Sequence, residues 1–485
     1  MSHFSNAIKQ FPRTFWVANT IELFERWAFY GFFMLFANYL TGSFDDGGLE
    51  FTQTQKGLIM GVGTGILYFL PVLTGAIADK YGYKRMLFIA FSIYASAFIL
   101  LPLFNTFTGV FIMYLYLAVG AALFKPVISA TIAKTTNDTT SSIGFGIFYM
   151  MVNIGAFFGP MVTLLYKSNY TLVFYISAGI IALNFILLLF YREPGRTKSN
   201  ESLSTTIIQV FKNIWLVLLD FKFVIFLLIV AGFWSMYFQL FFTLPVFISQ
   251  WVDTSTVYNF FNTYIPLISE NYGSHGQMES EFITNFDAMF IIIFQVFVST
   301  LVMNKKPLST MFTGFVIASI GMALTLLTQN VIFTLLAMLV FAFGEMAASP
   351  KITEYIGKIA SPDKKALYMG YSFIPVFIGT IFAGFISGSV YQNLSDKHTL
   401  LIKEINQQGL VIPDGLSHNE YFNQAAASLN MSQTELTDYL WNTYHPSNIW
   451  IVILCIGLFS ALCLWLYNRF LMKNNNPYRL HFKKN

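Results

Sequence analysis

The chain has 485 residues, of which 55% are hydrophobic and only 11% charged, against about 25% charged in a soluble globular protein. Its mean hydropathy is +0.59. Too little polar sequence is present to coat the roughly two or three domains that a soluble chain of this length would form, whereas a lipid-facing surface needs no polar coat. The net charge of +4, spread along the chain, offers nucleic acid no basic patch, and Cys455 and Cys463, both in one apolar segment, make neither a disulfide framework nor a metal site.

A membrane-crossing helix needs about 20 mostly apolar residues, and it must be a helix because lipid offers no partner to unpaired backbone groups. Twelve segments meet this description: 14–40, 55–78, 86–103, 108–133, 143–166, 170–191, 223–251, 287–303, 308–328, 331–349, 366–390 and 448–471. A β-barrel would instead give shorter segments of alternating hydrophobicity. The first segment is too long and too charged for a cleavable signal and has no small-residue cleavage site. The expected fold is an all-α membrane protein with twelve transmembrane helices in two six-helix bundles. Residues 1–191 would form the first bundle, 192–222 a basic, Ser/Thr-rich cytoplasmic linker, 223–471 the second bundle with outer loops 252–286 and 391–447, and 472–485 a basic tail. The second outer loop is long enough for a small cap or helical hairpin.

Lys and Arg set the orientation. With the N-terminus in the cytoplasm, 22 of the 28 basic residues fall on the cytoplasmic side, among them Lys9, Arg13, Lys364, Lys365, Lys483 and Lys484. Four fall outside (Lys56, Lys167, Lys397 and Lys403), and Arg26 and Lys125 lie within the membrane. By the positive-inside rule both termini are expected in the cytoplasm, with the chain in the plasma membrane, the inner membrane of a bacterium.

Ionisable side chains at mid-bilayer cost at least about 2.5–3.5 kcal/mol and usually face a cavity where they have a function. In the first segment Glu22, Glu25 and Arg26 share one helical face, which Tyr30 continues. Lys125 interrupts GAALFKPV in the fourth segment, and Glu345 interrupts FAFGEMAASP in the tenth. Structural ion pairing is the simpler reading of these groups. Three Glu against Arg26 and Lys125, spread over three segments, leave charge uncompensated, however, which favours a polar central cavity. Apolar surroundings favour a neutral carboxyl and a nearby Arg favours a charged one, so the first-segment cluster is suited to switching with protonation.

Between the second and third segments stand Gly75, Asp79, Lys80, Gly82 and Arg85. This run resembles the GxxxD(R/K)xGxx(R/K) loop signature of the major facilitator superfamily. Three further matches resemble the proton-dependent oligopeptide transporters within it: Glu22, Glu25, Arg26, Tyr30 and Gly31 in ELFERWAFYG; Phe148, Tyr149, Asn153 and Gly155 in the fifth segment, with Val152 for Ile; and Lys125-Pro126 together with Gly344-Glu345 and Ser349-Pro350. The resemblance implies the superfamily fold, a midplane cavity and proton-coupled uptake of small peptides or peptide-like molecules. It implies proton coupling at Glu22, Glu25 and Arg26, a substrate carboxylate on Lys125, pocket walls from Tyr30, Tyr149 and Asn153, and a substrate amine at Glu345. Trp234 and Gln239 would also reach the substrate, and Trp27 could border the cavity.

Two positions depart from that pattern. Phe33 stands where most members carry a basic residue, and Phe238 stands for the Glu of the seventh-segment Glu-Gln. Losing both partners together strands no charge, and Phe33 with Phe238 could close the outer gate by apolar contact. Ordinary dipeptide selectivity and standard coupling then come into question. The linker is also too short and polar for the two extra helices usual in bacterial members, and all six His lie outside the spans. The glycine runs 61–65 and 155–160 read as close-packing surfaces, and no phosphate-binding GxxxxGK(S/T) is present.

The expected function is secondary active transport of a peptide-like substrate, with protons and lipid as the other partners, in a monomer without cofactor or metal. Two alternatives stand beside it: a carrier of the same fold for a modified peptide, siderophore-like or drug-like compound, including one that exports it, and a non-transporting membrane sensor or enzyme.

Overall fold

The computed structural model describes residues 8–137, 140–195, 203–326, 328–359, 368 and 371–472. The expected basic positions Lys364, Lys365, Lys483 and Lys484, the start of the 366–390 span and nearly all of the tail lie outside them. Among the described residues nine helices are long and apolar enough to cross a membrane, and ten if a bent pair counts as one span. Two further expected spans are also helical. Arg13–Thr41 (α1) is one unbroken helix of 29 residues that carries the charged cluster, and Pro307–Ala323 has 17 residues continued by a short 3-10 turn.

The chain divides into two compact units. One comprises Met1–Phe36 and Gly63–Trp215, the other Ala37–Val62 and Leu216–Asn485. Gln53–Phe69 (α2), which starts in the second unit and ends in the first, and Pro71–Tyr81 (α3) of the first unit meet at an angle of 41°, because Pro71 brings no N–H to continue the ladder. Tyr83–Leu100 (α4), Phe107–Lys134 (α5), Ser141–Leu164 (α6) and Tyr170–Phe190 (α7) complete it. Thr106 and Asn169 cap α5 and α7 by accepting from the amides of Gly109 and Leu172. The glycines of α6 work as close contacts. A Cβ on Gly155 would stand 2.7 Å from the Leu23 carbonyl of α1, so α1 and α6 touch backbone to backbone.

The linker segment holds a helix of 16 residues, Leu203–Leu218 (α8). Its polar start conceals an amphipathic repeat, and Ile208, Phe211, Trp215 and Leu218 form an exposed apolar stripe along it.

In the second unit the seventh expected span is broken into Phe221–Tyr237 (α9), Gln239–Phe242 (α10) and Leu244–Trp251 (α11). The breaks fall at Phe238 and Thr243, with Pro245 just beyond. Residues 252–286 form Ser255–Tyr264 (α12), Pro266–Tyr272 (α13), a two-residue hairpin and Ser280–Thr284 (α14). The membrane helices that follow are Phe286–Val302 (α15), Pro307–Ala323 (α16), Val331–Ile359 (α17) and Ile374–Phe385 (α18), the last running through a π turn at Ile386–Val390 into Tyr391–Leu394 (α19). The long loop builds three helices, Lys397–Gln407 (α20), His418–Ser428 (α21) and Gln433–Tyr444 (α22), before Ile449–Leu466 (α23). Reciprocal capping boxes at Ser417/Glu420 and Ser432/Glu435 start α21 and α22.

Candidate transport site

In the first unit the charged face of α1 is buried: Glu25 is 0% and Arg26 3% exposed. Arg26 donates from Nε to Glu25 Oε2 at 2.6 Å and from Nη2 to Oε1 at 2.7 Å, a two-pronged pairing that fixes both planes. Glu22 Oε1 stands 3.5 Å from the same Nε. The guanidinium also faces the rings of Phe29 and Tyr30, 5.0 and 5.6 Å from their centroids. One buried cation therefore holds two carboxylates, and protonation of either changes what Arg26 can hold.

Lys125 sits on α5 immediately before Pro126. The missing N–H of Pro126 deprives the carbonyl of Ala122 of its helical donor, and the Thr74 hydroxyl supplies a replacement at 2.7 Å. Gly75, one residue on, faces Pro126, whose Cβ a Gly75 side chain would meet at 3.5 Å, an ordinary van der Waals contact. The ammonium of Lys125 lies 4.4 Å from the ring centroid of Tyr68. The superfamily-type loop thus touches the same helix that presents Lys125. Farther along it, Asp79 accepts from the Tyr83 hydroxyl at 2.7 Å across the turn at Gly82, which has φ 104°. Glu193 accepts from the Tyr83 amide at 3.0 Å, a donor that α4 leaves unpaired at its start. Lys80 and Arg85 bracket this turn.

The other residues of this unit differ in setting. Asn153 turns back to donate to the Tyr149 carbonyl of its own helix at 2.8 Å, and the Tyr149 ring is exposed. Phe33 is buried and stacks on Phe29 with centroids 5.0 Å apart.

In the second unit Glu345 is buried on α17 and accepts a hydrogen bond from Tyr237. Its Oε2 has no hydrogen-bond partner. Asp287, on α15, acts electrostatically on Glu345 and has an unpartnered Oδ1 of its own. The helices carrying the two carboxyls pack through Ile291, one turn after Asp287, against Ala342 and Met346. Phe238 is buried among Trp234, Tyr237, Phe241 and Phe242. Gln239 is fully engaged in the helix break: Nε2 donates to the Ser235 carbonyl at 2.9 Å and to that of Ala383 at 3.3 Å, and Oε1 accepts from Thr243 at 2.5 Å. That leaves its side chain holding the broken helix rather than reaching for a ligand. Trp234 packs against Gly379, where an added Cβ would meet its own Cβ at 2.6 Å.

Among the buried ionisable residues that the sequence reading passes over are Asp287 and Lys56. Asp287 opens the eighth expected span at the end of a polar run. Lys56, counted with the outer loop, is 0% exposed inside α2. Among the described residues no group of three His, Cys, Asp or Glu could hold a metal ion.

Residues 16–384 match the model of the Major Facilitator Superfamily. The chain belongs to that superfamily. As a superfamily member it is a membrane transporter and not an enzyme. This facilitator is 27% identical over 202 residues to a dipeptide and tripeptide permease A of Pectobacterium carotovorum, covering 40% of this chain and 39% of the permease. It is 24% identical over 394 residues to a Na(+), Li(+), K(+)/H(+) antiporter of Planococcus maritimus, covering 78% of this chain and 89% of the antiporter. The similarity to the permease thus spans less than half of that relative. Among solved structures, a POT family transporter in complex with 5-aminolevulinic acid shares the fold, with a TM-score of 0.70 and 18% identity over 96% of this chain and 100% of that one.

Proposed function

We propose that this facilitator is a proton-coupled carrier that takes up small peptides or peptide-like molecules by alternating access. In this reading it is a monomer in the plasma membrane, with both termini cytoplasmic and residues 391–447 outside. Its halves, 1–191 and 223–471, rock about a midplane site, joined by the 192–222 linker. The two-pronged pairing of Arg26 with Glu25, backed by Glu22, is the observation that carries the proposal. A buried three-group cluster of this kind exchanges partners when a proton arrives, and it occurs in the motif that resembles the oligopeptide transporters. The partial similarity to a dipeptide and tripeptide permease supports the same cargo class.

Lys125 takes an anionic group of the cargo, Tyr30, Tyr149 and Asn153 line its pocket together with Trp234, and Glu345 takes its amine. Phe33 and Phe238 contribute apolar gate surface. Asp287 stands in for the carboxylate that the seventh span lacks: it is buried, has an unpaired oxygen and interacts with Glu345. Because Phe238 replaces that carboxylate, a modified peptide or another peptide-like cargo fits better than a simple dipeptide. The reading is tested in proteoliposomes loaded at pH 7 and diluted into pH 5.5 buffer with labelled peptides, modified peptides or siderophores. Accumulation of at least one of these, abolished by a protonophore, is expected. Accumulation indifferent to the protonophore would end the coupling claim, and counterflow of none of them would end the cargo claim.

A further inference from the structure

The ends of α1 and α2 that belong to the second unit are held there by a dense set of contacts. Asn38 donates to Ser280 Oγ and Glu281 Oε1 at 2.8 and 2.7 Å, and Thr54 donates to Gln392 Oε1 at 2.7 Å. Gly57 and Gly61 of α2 lie against Gly384 and Gly388. A Cβ on Gly61 would stand 2.8 Å from the Gly384 Cα, and one on Gly57 2.6 Å from the Gly388 Cα. At that distance no side chain fits between the two backbones.

Next to this glycine contact, on the fourth residue of α2, is Lys56 with no exposed surface. Its Nζ donates to the Phe242 carbonyl, at the end of α10, at 2.8 Å, and lies 5.3 Å from the Tyr391 ring centroid. Among the described residues no carboxylate stands within the 4.0 Å of an ion pair. Asp396, the carboxylate that acts on it electrostatically, is already occupied. It accepts from Gln53 at 2.8 Å, from Gln250 at 3.0 Å, and from the Thr399 amide and hydroxyl at 3.1 and 2.7 Å. An ammonium has three N–H groups and is strongly hydrated in water. Here one carbonyl and one ring face replace that hydration, which leaves the cation undercompensated.

The carrier mechanism gives this imbalance a use. A glycine-on-glycine contact flanked by hydrogen bonds closes readily, and a transporter must open it again. We infer that Lys56 is a positioning residue that makes this closure reversible, a buried cation whose return to water offsets the attraction between α2 and α18. The inference rests on the alternating-access reading and on its orientation, in which this end faces outside.

The test uses the full-length protein in liposomes, with Cys455 and Cys463 replaced by Ser and Thr380→Cys as reporter. Thr380 is 0% exposed, and its carbonyl lies beside Gly61. The rate of modification by a membrane-impermeant maleimide added outside reports opening, with no cargo present. Lys56→Met, apolar and of similar length, is expected to slow labelling at least tenfold. Lys56→Gln is expected to slow it less, and Gly384→Ala, which wedges the contact, to accelerate it at least tenfold. Cooperative thermal unfolding of each variant verifies that it folds. Unchanged or faster labelling in both Lys56 variants would overturn the inference, since Lys56 would then be filler or a latch. Labelling from the inside alone would instead refute the orientation. A failed uptake assay with the expected labelling order would refute the cargo reading and leave the role of Lys56 standing.

Discussion

The Thr74 hydroxyl donates to the Ala122 carbonyl, the acceptor that Pro126 orphans, and so the helix pair α3 and α5 is stitched one turn from Lys125. Removing that donor leaves a buried carbonyl unsatisfied, which costs about 1–3 kcal/mol. Thr74→Val is expected to lower the thermal unfolding midpoint of the purified protein by several degrees, and Thr74→Ser to restore most of the loss. Equal midpoints for wild type and Thr74→Val would mean that another donor reaches the carbonyl.

Glu25 makes two short hydrogen bonds to Arg26, at 2.6 and 2.7 Å, whereas Glu22 stands 3.5 Å away. Glu25→Gln keeps the shape and removes the charge. Gradient-driven accumulation should fall to background, while counterflow, which needs no gradient, persists at least in part. Accumulation that survives unchanged would make the cluster structural.

Asp287→Asn is expected to reduce accumulation at least tenfold while leaving counterflow within about threefold, a split that a packing defect would not produce. A parallel loss of both activities, with an intact fold, would assign Asp287 to cargo binding instead of coupling.

Lys125 presents a compact ammonium over Tyr68. Lys125→Ala should abolish transport, and Lys125→Arg should retain only part of it, because a planar fork does not replace a point-like ammonium. With Phe238 at the seventh-span position, uptake of dialanine is expected to be weak. Robust dialanine uptake at low pH that tolerates Lys125→Ala would defeat both statements. If only the dipeptide statement fails, Glu345 suffices for a substrate amine.

Glu420 is exposed in the first turn of α21, within the 391–447 segment. In the same Cys-free background, Glu420→Cys should react with an impermeant maleimide from outside intact cells. Modification only after the inner face is made accessible would invert the topology.

Lone charges in long apolar runs are conspicuous, and for that reason Glu22, Glu25, Arg26, Lys125 and Glu345 could be picked out from sequence. Asp287 escaped because EFITNFD has the polarity of a membrane edge, and only the packing of α15 against α17 buries it. Lys56 escaped similarly: it follows TQTQ, and no local pattern announces that Phe242 of α10 and Tyr391 of α19 will cover it. The helix in the linker was hidden by its Ser/Thr start, although its apolar residues recur with helical spacing. Gln239 has the opposite history. Its match to the seventh-segment Glu-Gln implies a ligand-facing amide, but at the break in the seventh span its hydrogen bonds are taken up by Ser235, Thr243 and Ala383.

The contact of Gly57 and Gly61 with Gly384 and Gly388 also bears on speed and temperature. Most helix interfaces must freeze rotamers as they form, at up to about 2 kcal/mol of entropy for each long side chain, whereas glycine has no rotamer to lose. Four glycines can therefore meet and part with no side chain to reorder at the contact itself. On the reading proposed above, the thermal sensitivity of opening at this end would come from rehydrating Lys56 and breaking the hydrogen bonds of Asn38 and Thr54, and not from reordering side chains between the glycines.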